Sequence, residues 1–150
     1  MILDFVAKSC GDGWQKASGS SMCYKKFNEQ KNFVEAEREC NVLGGHLARI
    51  STLAENELVG IIGGSDHFRI GLWTGDTNKC TEKQNSYIWA DGTPNTGFNS
   101  WRSGEPDCAA GPTMGEAAFF NYNGKNLWDD GRISSEKPFV CGMLEQDFGK

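Results

Sequence analysis

Acidic side chains cluster in two short stretches of the sequence that could bind a metal ion. The first stretch, SGEPDCAAGPTMGE, carries Glu105, Asp107 and Glu116 in a segment rich in glycine and proline. The second stretch, WDD, carries Asp129 and Asp130. Carboxylate oxygens are the ligands that a hard cation such as Ca²⁺ prefers, with about six to eight oxygens around the ion. A solvated acidic loop is the alternative, and for any one of these acids it is the ordinary explanation.

Catalysis explains these residues less well than metal binding does. The chain contains two histidines, His46 within GGHLARI and His67 in a polar segment, and neither belongs to a Ser/His/Asp or Cys/His pattern. A pair of acids is typical of glycosidases, but five acids in two short stretches favour a metal site. We therefore predict that the protein is not an enzyme.

Two helices are predicted upstream of the acidic stretches. Apolar residues recur at helical spacing in the first helix: Phe33, Ala36, Cys40 and Leu43. Two glycines at 44 and 45 end this pattern, so Cys40 is predicted to face the interior. STLAE at 51–55 predicts the cap of a second helix, which continues through Ile62 and ends at two further glycines.

Short strands account for most of the remaining chain. A hairpin is predicted between Cys10 and Cys23, and strands are predicted in RIGLWTG, SYIWADG, AFFNYNG, KNLWDD and PFVCGML. Residues 91–117 form a loop rich in Gly, Pro, Asn and Ser, and a loop of this length in a small domain is usually functional. Residues 1–150 are therefore predicted to be one α+β domain with a core at about residues 10–144.

The composition excludes several classes of partner. The 150 residues carry a net charge of −5, and Lys and Arg are not clustered, which argues against nucleic acid and anionic membranes. A transmembrane helix requires an apolar run of roughly 18 residues, and no run in this sequence approaches that length. The opening MILDFVAKS is too short and lacks the basic leader of a signal peptide, so we interpret Met1 as a residue in front of a mature chain.

Cysteine usage indicates an oxidising compartment. Six cysteines occur in the chain: Cys10, Cys23, Cys40, Cys80, Cys108 and Cys141. Their number is even, their spacing is wide and no CxxC pair of the zinc-site type occurs, so disulfide bonds are predicted. Since disulfides persist mainly outside the cytosol, we expect a secreted, extracellular protein.

The order of short motifs resembles that of the C-type lectin-like domain family over about residues 10–141. The matching motifs are GW before CY, A-x-x-x-C-x-x-x-G-G-H-L-A-x-I from Ala36 to Ile50, IGL at 70–72, NSW before GEP, and WDD. The resemblance implies two helices that flank two small antiparallel sheets, with a long loop that carries a calcium-dependent sugar site. Arg69 stands where typical members have Trp.

The resemblance also implies a disulfide pattern. By family position, the bonds are Cys10–Cys23, which closes the N-terminal hairpin, and Cys40–Cys141, which ties the first helix to the last strand. The family's other usual bridge, beneath the long loop, is absent from this sequence. Cys80 and Cys108 remain, and we pair them with each other; two free thiols are the alternative.

The family's calcium site maps onto the two acidic stretches. Residue by residue, the resemblance implies these Ca²⁺ ligands: Glu105, Asp107, Glu116, Asp129 and Asp130. The first four are also the implied sugar-binding residues, because in typical members two sugar hydroxyls coordinate the ion directly. The peptide bond before Pro106 is implied to be cis, which turns the side chains of Glu105 and Asp107 toward one point.

Two acids depart from the pattern of typical mannose-binding members. Asp107 and Asp129 replace amides that donate hydrogen bonds to the sugar, whereas an ionised carboxylate only accepts them. The leading hypothesis is nevertheless a calcium-dependent lectin for mannose/glucose-type or microbial glycans, with a role in innate immunity, because the Glu-first triplet resembles the mannose class.

Two other functions compete with carbohydrate binding. One is a protein-binding domain of the same family in which calcium only organises the loop, and the absence of the two amides favours it. The other is an ice-binding relative. If glycans are the ligands, binding of one monosaccharide is expected to be weak, so we expect several copies of the chain to act together as a homo-oligomer.

Overall fold

Both predicted helices are present. The computed structural model describes residues 10–75, 87–107, 115–121 and 124–149. Helix α1 spans Phe33–Val42 and begins with a capping box, in which the Asn32 side chain accepts from the backbone of Glu35 and the Glu35 side chain accepts from the backbone of Asn32. Helix α2 spans Leu53–Gly63, with Thr52 as its N-cap. Neither helix, nor any other helix in these ranges, is long and apolar enough to cross a membrane.

The apolar stripe of α1 is shorter than its sequence spacing predicts. Phe33, Ala36 and Cys40 are buried, which confirms the inward position of Cys40. Leu43 is 46% exposed, so its predicted place on the buried face is wrong. The helix ends at Val42 and Leu43 is its C-cap. The chain leaves the helix at this residue, and the backbone N–H of Gly45 closes the turn by donating to the carbonyl of Cys40.

Eight strands follow one another along the described chain. They are β1 Gln15–Lys16, β2 Met22–Lys31, β3 His46–Leu47, β4 Phe68–Thr74, β5 Ile88–Trp89, β6 Glu116–Phe120, β7 Trp128–Arg132 and β8 Lys137–Leu144. The hydrogen-bonded order is β1-β2-β8-β4-β6-β7, with β3 on β8 and β5 on β4. The predicted strand segments overlap β4 to β8, and the hairpin predicted between Cys10 and Cys23 covers β1 and reaches the start of β2. The sequence did not predict β3, a two-residue strand that only its pairing with β8 defines.

The two antiparallel sheets implied by the resemblance are joined into one mixed sheet. Strands β1, β2, β3 and β8 form one antiparallel half, and β4, β5, β6 and β7 form the other. A single parallel pairing between β4 and β8, at Arg69 and Phe139, connects the halves. Arg69 is fully buried at this junction and donates from Nη2 to the carbonyl oxygen of Ser135.

The core places β7, which carries the second acidic stretch. Trp128, the first residue of β7, is fully buried, and its indole Nε1 donates to Oδ1 of Asn56 in α2 at 3.0 Å. The Trp128 ring packs edge-to-face against Trp89 and Trp101, with ring centroids 5.8 Å and 5.7 Å away. Packing of three large aromatic side chains around the start of β7 determines where Asp129 and Asp130 lie.

Two of the implied disulfides are present in the structure. Cys10 is bonded to Cys23, and Cys40 is bonded to Cys141 across 101 residues of sequence. The second bond fastens α1 to β8, and both of its cysteines belong to a buried cluster with Phe33, Leu47 and Phe139. The third expected pair, Cys80–Cys108, lies outside the described residues.

Candidate calcium site

The two acidic stretches meet. One carboxylate oxygen from each of Glu105, Asp107 and Asp130 lies within 4.8 Å of the others. The backbone N–H of Asp107 also donates to Oδ1 of Asp130 at 3.2 Å, which ties the loop directly to β7. We call these three residues the carboxylate cluster.

A tight turn brings the loop to β7. The backbone N–H of Trp128 donates to the carbonyl of Ser100, and the N–H of Arg102 donates to the carbonyl of Trp128, both at 2.8 Å. The chain then turns through Gly104, whose φ of 86° is readily adopted only by glycine. The N–H of Glu105 closes the turn on the carbonyl of Arg102. The Glu105–Pro106 peptide bond is cis, as the resemblance implies.

Glu116 is the most deeply buried of the predicted ligands. It begins β6 and is 1% exposed, and within the described part of the chain neither of its carboxylate oxygens has a hydrogen-bond partner. Burial raises the pKa of Glu116 to about 7, and the charges of Asp130 and Asp107 add to this rise while Arg132 opposes it. A buried carboxylate without a donor costs free energy, which a nearby cation would recover.

Asp129 is not part of the carboxylate cluster. On β7, Asp129 pairs with Phe119 and Asp130 pairs with Ala118, and successive strand residues point to opposite faces of a sheet. Burial raises the pKa of the Asp129 carboxyl, the charge of Asp130 adds to this rise, and the guanidinium of Arg102 opposes it. Its Oδ1 is buried and has no hydrogen-bond partner among the described residues.

The five predicted ligands are therefore not equivalent. The structure gathers Glu105, Asp107 and Asp130, and it places Glu116 within their electrostatic influence. Asp129 lies outside the cluster on the neighbouring position of β7, although the charge of Asp130 also raises the pKa of its carboxyl.

The carboxylates of the cluster repel one another. The pKa of Glu105 is raised to about 8, first by burial and then by hydrogen bonding and charge at Asp130 and Asp107. Nη2 of Arg102 lies 3.4 Å from Oε2 of Glu105, at the long end of a hydrogen bond. At this distance the guanidinium does not reverse the effect of burial and of two neighbouring acids.

Two residues contact the cluster that sequence reasoning did not identify. Arg102 stands three positions before Glu105, and a basic residue beside a predicted acidic site is a signal that sequence analysis could have used. Tyr87 donates from its hydroxyl to Oδ2 of Asp130 at 3.2 Å. Nothing in the local sequence around Tyr87 indicates this contact, which spans 43 residues.

The donor set fits a calcium ion. The three carboxylates of the cluster supply only oxygen atoms, and Glu116 adds two buried oxygens that no described donor satisfies. A dication neutralises acids whose pKa values are raised in its absence, and Ca²⁺ tolerates irregular sets of oxygen ligands. Glu105, Asp107, Asp130 and Glu116 would hold the ion, which would supply a positive centre for oxygen atoms of a ligand.

Comparison with known proteins defines the family. The family model described as the lectin C-type domain matches residues 29–143. The chain belongs to this family. The fold expectation is thereby confirmed. C-type lectin domains are in general not enzymes.

The similar proteins carry names of different functional classes: a snaclec, a carbohydrate-recognition domain and an antifreeze protein. The chain is 36% identical over 146 residues to snaclec 3 of Sistrurus catenatus edwardsii, covering 94% of this chain and 89% of that one. The human scavenger receptor C-type lectin carbohydrate-recognition domain has a TM-score of 0.71 at 27% identity, covering 91% and 99%. A calcium-independent type II antifreeze protein has a TM-score of 0.73 at 21% identity, covering 90% and 94%, which shows the fold alone.

Proposed function

We propose that this C-type lectin domain binds Ca²⁺ at the carboxylate cluster and uses the ion to bind carbohydrate. The observation that carries the proposal is the convergence of Glu105, Asp107 and Asp130, with the unsatisfied carboxylate of Glu116 close enough to be affected by their charge. Asp129 remains in the proposed ligand and sugar-binding set through the family resemblance alone. The proposed sugars are of the mannose/glucose type or belong to microbial polysaccharides.

The chemistry of the site limits how a sugar can bind. When bound, the ion would attract two adjacent sugar hydroxyls, and each hydroxyl has one proton to donate to a carboxylate. Glu105 and Glu116 are the acceptors that the family pattern assigns to these protons. The Asp107 carboxylate can only accept hydrogen bonds from the sugar, whereas the amide of the family pattern would donate one. Binding of a single monosaccharide is therefore expected to be weak. Several copies of the chain would then supply useful affinity.

A second function is favoured by the same acids. Without amide donors the cluster is better suited to holding an ion than to sharing it with a neutral sugar, and the loop it organises is a surface that a protein can contact. We therefore keep protein binding, with calcium in a structural role, as the alternative. Neither function involves nucleic acid or insertion into a membrane.

The disulfides support an extracellular location. Cys10–Cys23 and Cys40–Cys141 require an oxidising compartment to form and persist. We propose that the protein is secreted and contributes to innate immunity by recognising glycans on microbial surfaces.

A glycan array read in calcium and in chelator tests the proposal. Carbohydrate binding predicts calcium-dependent signals on mannose- or glucose-containing glycans, and free monosaccharide should compete for them. Calcium binding by calorimetry without any glycan signal would instead support the protein-binding alternative. Glycan signals that persist in chelator would contradict a role for the ion.

A further inference from the structure

We propose that Tyr87 is a positioning residue of the calcium site, acting through Asp130. The inference rests on the proposed calcium-binding function and adds to it a residue outside the two acidic stretches. The Tyr87 hydroxyl donates to Oδ2 of Asp130 at 3.2 Å, from a residue that lies just before β5. Tyr87 therefore contacts a ligand and not the ion itself.

Both oxygens of Asp130 are held by hydrogen bonds from separate parts of the chain. Oδ1 accepts from the backbone N–H of Asp107 at 3.2 Å, and Oδ2 accepts from Tyr87. Two donors on opposite oxygens fix the rotation of the carboxylate and so direct its lone pairs.

The hydroxyl of Tyr87 is itself rigidly held. The residue is 3% exposed, and its ring packs edge-to-face on Trp101 with centroids 5.3 Å apart. Trp101 packs in turn on the fully buried Trp128, which precedes Asp129 and Asp130 on β7. A continuous series of aromatic contacts thus connects the donor to the strand that carries its acceptor.

Loss of the hydroxyl should weaken calcium binding without loosening the core. In Tyr87→Phe the ring and its packing on Trp101 remain, but Oδ2 of Asp130 loses the donor that this buried side chain supplies. The carboxylate is then freer to rotate. Removal of such outer partners typically lowers metal affinity by about 10- to 100-fold, and we expect roughly tenfold here because the Asp107 N–H remains.

Tyr24 provides a matched control. It is also buried, and its hydroxyl also donates a hydrogen bond, but to the backbone carbonyl of Arg49, away from the carboxylate cluster. Tyr24→Phe removes the same atom from the protein and therefore reports the effect of a lost buried hydroxyl on the fold alone.

Calcium titration by calorimetry at neutral pH, with thermal midpoints in chelator, tests the inference. We expect the calcium Kd to rise about tenfold in Tyr87→Phe and to stay within about twofold of wild type in Tyr24→Phe. Incorporation of 4-aminophenylalanine at position 87 restores a donor at the same place and should recover most of the affinity.

The possible outcomes distinguish failure of the role of Tyr87 from failure of the proposed calcium site. Wild-type protein that binds no calcium overturns the proposed site, and the role of Tyr87 with it. Wild-type protein that binds calcium while Tyr87→Phe binds it equally well overturns the role of Tyr87 alone. Equal losses in both variants, or no recovery with 4-aminophenylalanine, would show that only general stability had changed and would also overturn it.

Discussion

The backbone N–H of Asp107 donates to Oδ1 of Asp130 at 3.2 Å across 23 residues of sequence. This contact joins the Glu-Pro-Asp turn to the strand that carries the second acidic stretch. The hydrogen bond lies within the chain and directs the loop toward β7. Calcium would then act on a nearly assembled set of ligands, which lowers the entropy lost on binding.

Calcium should stabilise the fold, because an ion that binds only the folded state shifts unfolding by mass action. At a concentration of about 100 times Kd, the thermal midpoint should rise by roughly 5–10 °C. Glu105→Gln combined with Asp130→Asn should abolish the rise. Glu29→Gln combined with Asp12→Asn changes the same charge at exposed positions and should preserve it. Scanning calorimetry in calcium and in chelator measures all three proteins, and a rise that survives the first double variant contradicts the assignment.

The stability of the metal-free protein should fall as the pH rises from about 5 to 8. The pKa values of Glu105 and Glu116 are raised to about 8 and about 7, so folding favours their protonated forms. This contribution is complete below the ordinary glutamate pKa of 4.5 and is lost as the pH passes the raised values. Saturating calcium should remove the pH dependence, and calcium binding should release protons. Thermal midpoints in chelator that increase from about pH 5 to 8 would be incompatible with these shifts.

Arg102→Gln should raise calcium affinity by roughly threefold at low salt. The guanidinium lies 3.4 Å from the Glu105 carboxylate and competes with a cation for it. Its removal eliminates a repulsion that is partly screened by solvent, so the gain should shrink at high ionic strength. Arg38→Gln changes the same charge at an exposed position of α1 and should leave the affinity unchanged. Calcium titrations of both variants at two salt concentrations measure these affinities. A lower calcium affinity in Arg102→Gln would contradict competition between the guanidinium and the ion for Glu105.

Asp107→Asn should bind mannose about three- to tenfold more tightly than wild type at saturating calcium. The amide donates to a sugar hydroxyl where the carboxylate only accepts, and one hydrogen bond contributes about 0.5–1.5 kcal/mol. Calcium affinity should fall in the same variant because a negative ligand is lost. Asp129→Asn should change mannose binding less, since Asp129 lies outside the carboxylate cluster. If Asp107→Asn leaves mannose affinity unchanged or lower, sugars bind elsewhere and protein binding becomes the leading function.

Two replacements of the buried Arg69 should distinguish the effect of its charge on the free energy of unfolding from the effect of its side-chain volume. Its guanidinium lies 4.8 Å from the Phe119 ring centroid, and within the described chain Nε and Nη1 have no hydrogen-bond partner. Burial lowers the pKa of Arg69 to about 10, which reflects the cost of the charge. Arg69→Met should leave the free energy of unfolding unchanged or raise it by up to about 2 kcal/mol. Arg69→Ala should lower it by about 3 kcal/mol through the cavity it leaves. Urea denaturation measures both, and a large loss in Arg69→Met would show that the hydrogen bond to Ser135 outweighs the buried charge.

Local patterns in the sequence predicted the helices and most strands well. The N-cap at Thr52 and the end of the helix at two glycines depend only on residues a few positions apart. For this reason α2 lies almost where the sequence places it. The inward position of Cys40 follows from helical spacing for the same reason. Leu43 breaks the pattern because α1 ends before it, and the end of a helix depends on where the following chain goes.

Only the tertiary structure decided which acids act together. Asp129 and Asp130 are adjacent in sequence and equal in chemistry, yet pairing with β6 gives their side chains opposite directions. Tyr87 meets Asp130 because β5 pairs with β4 and the aromatic core brings β7 beside them. By itself, the sequence determined the kind of atom available for an ion, since residue type sets charge and donor chemistry. The number of those atoms that converge on one point depends on strand register and core packing over long sequence separations, which no local pattern contains.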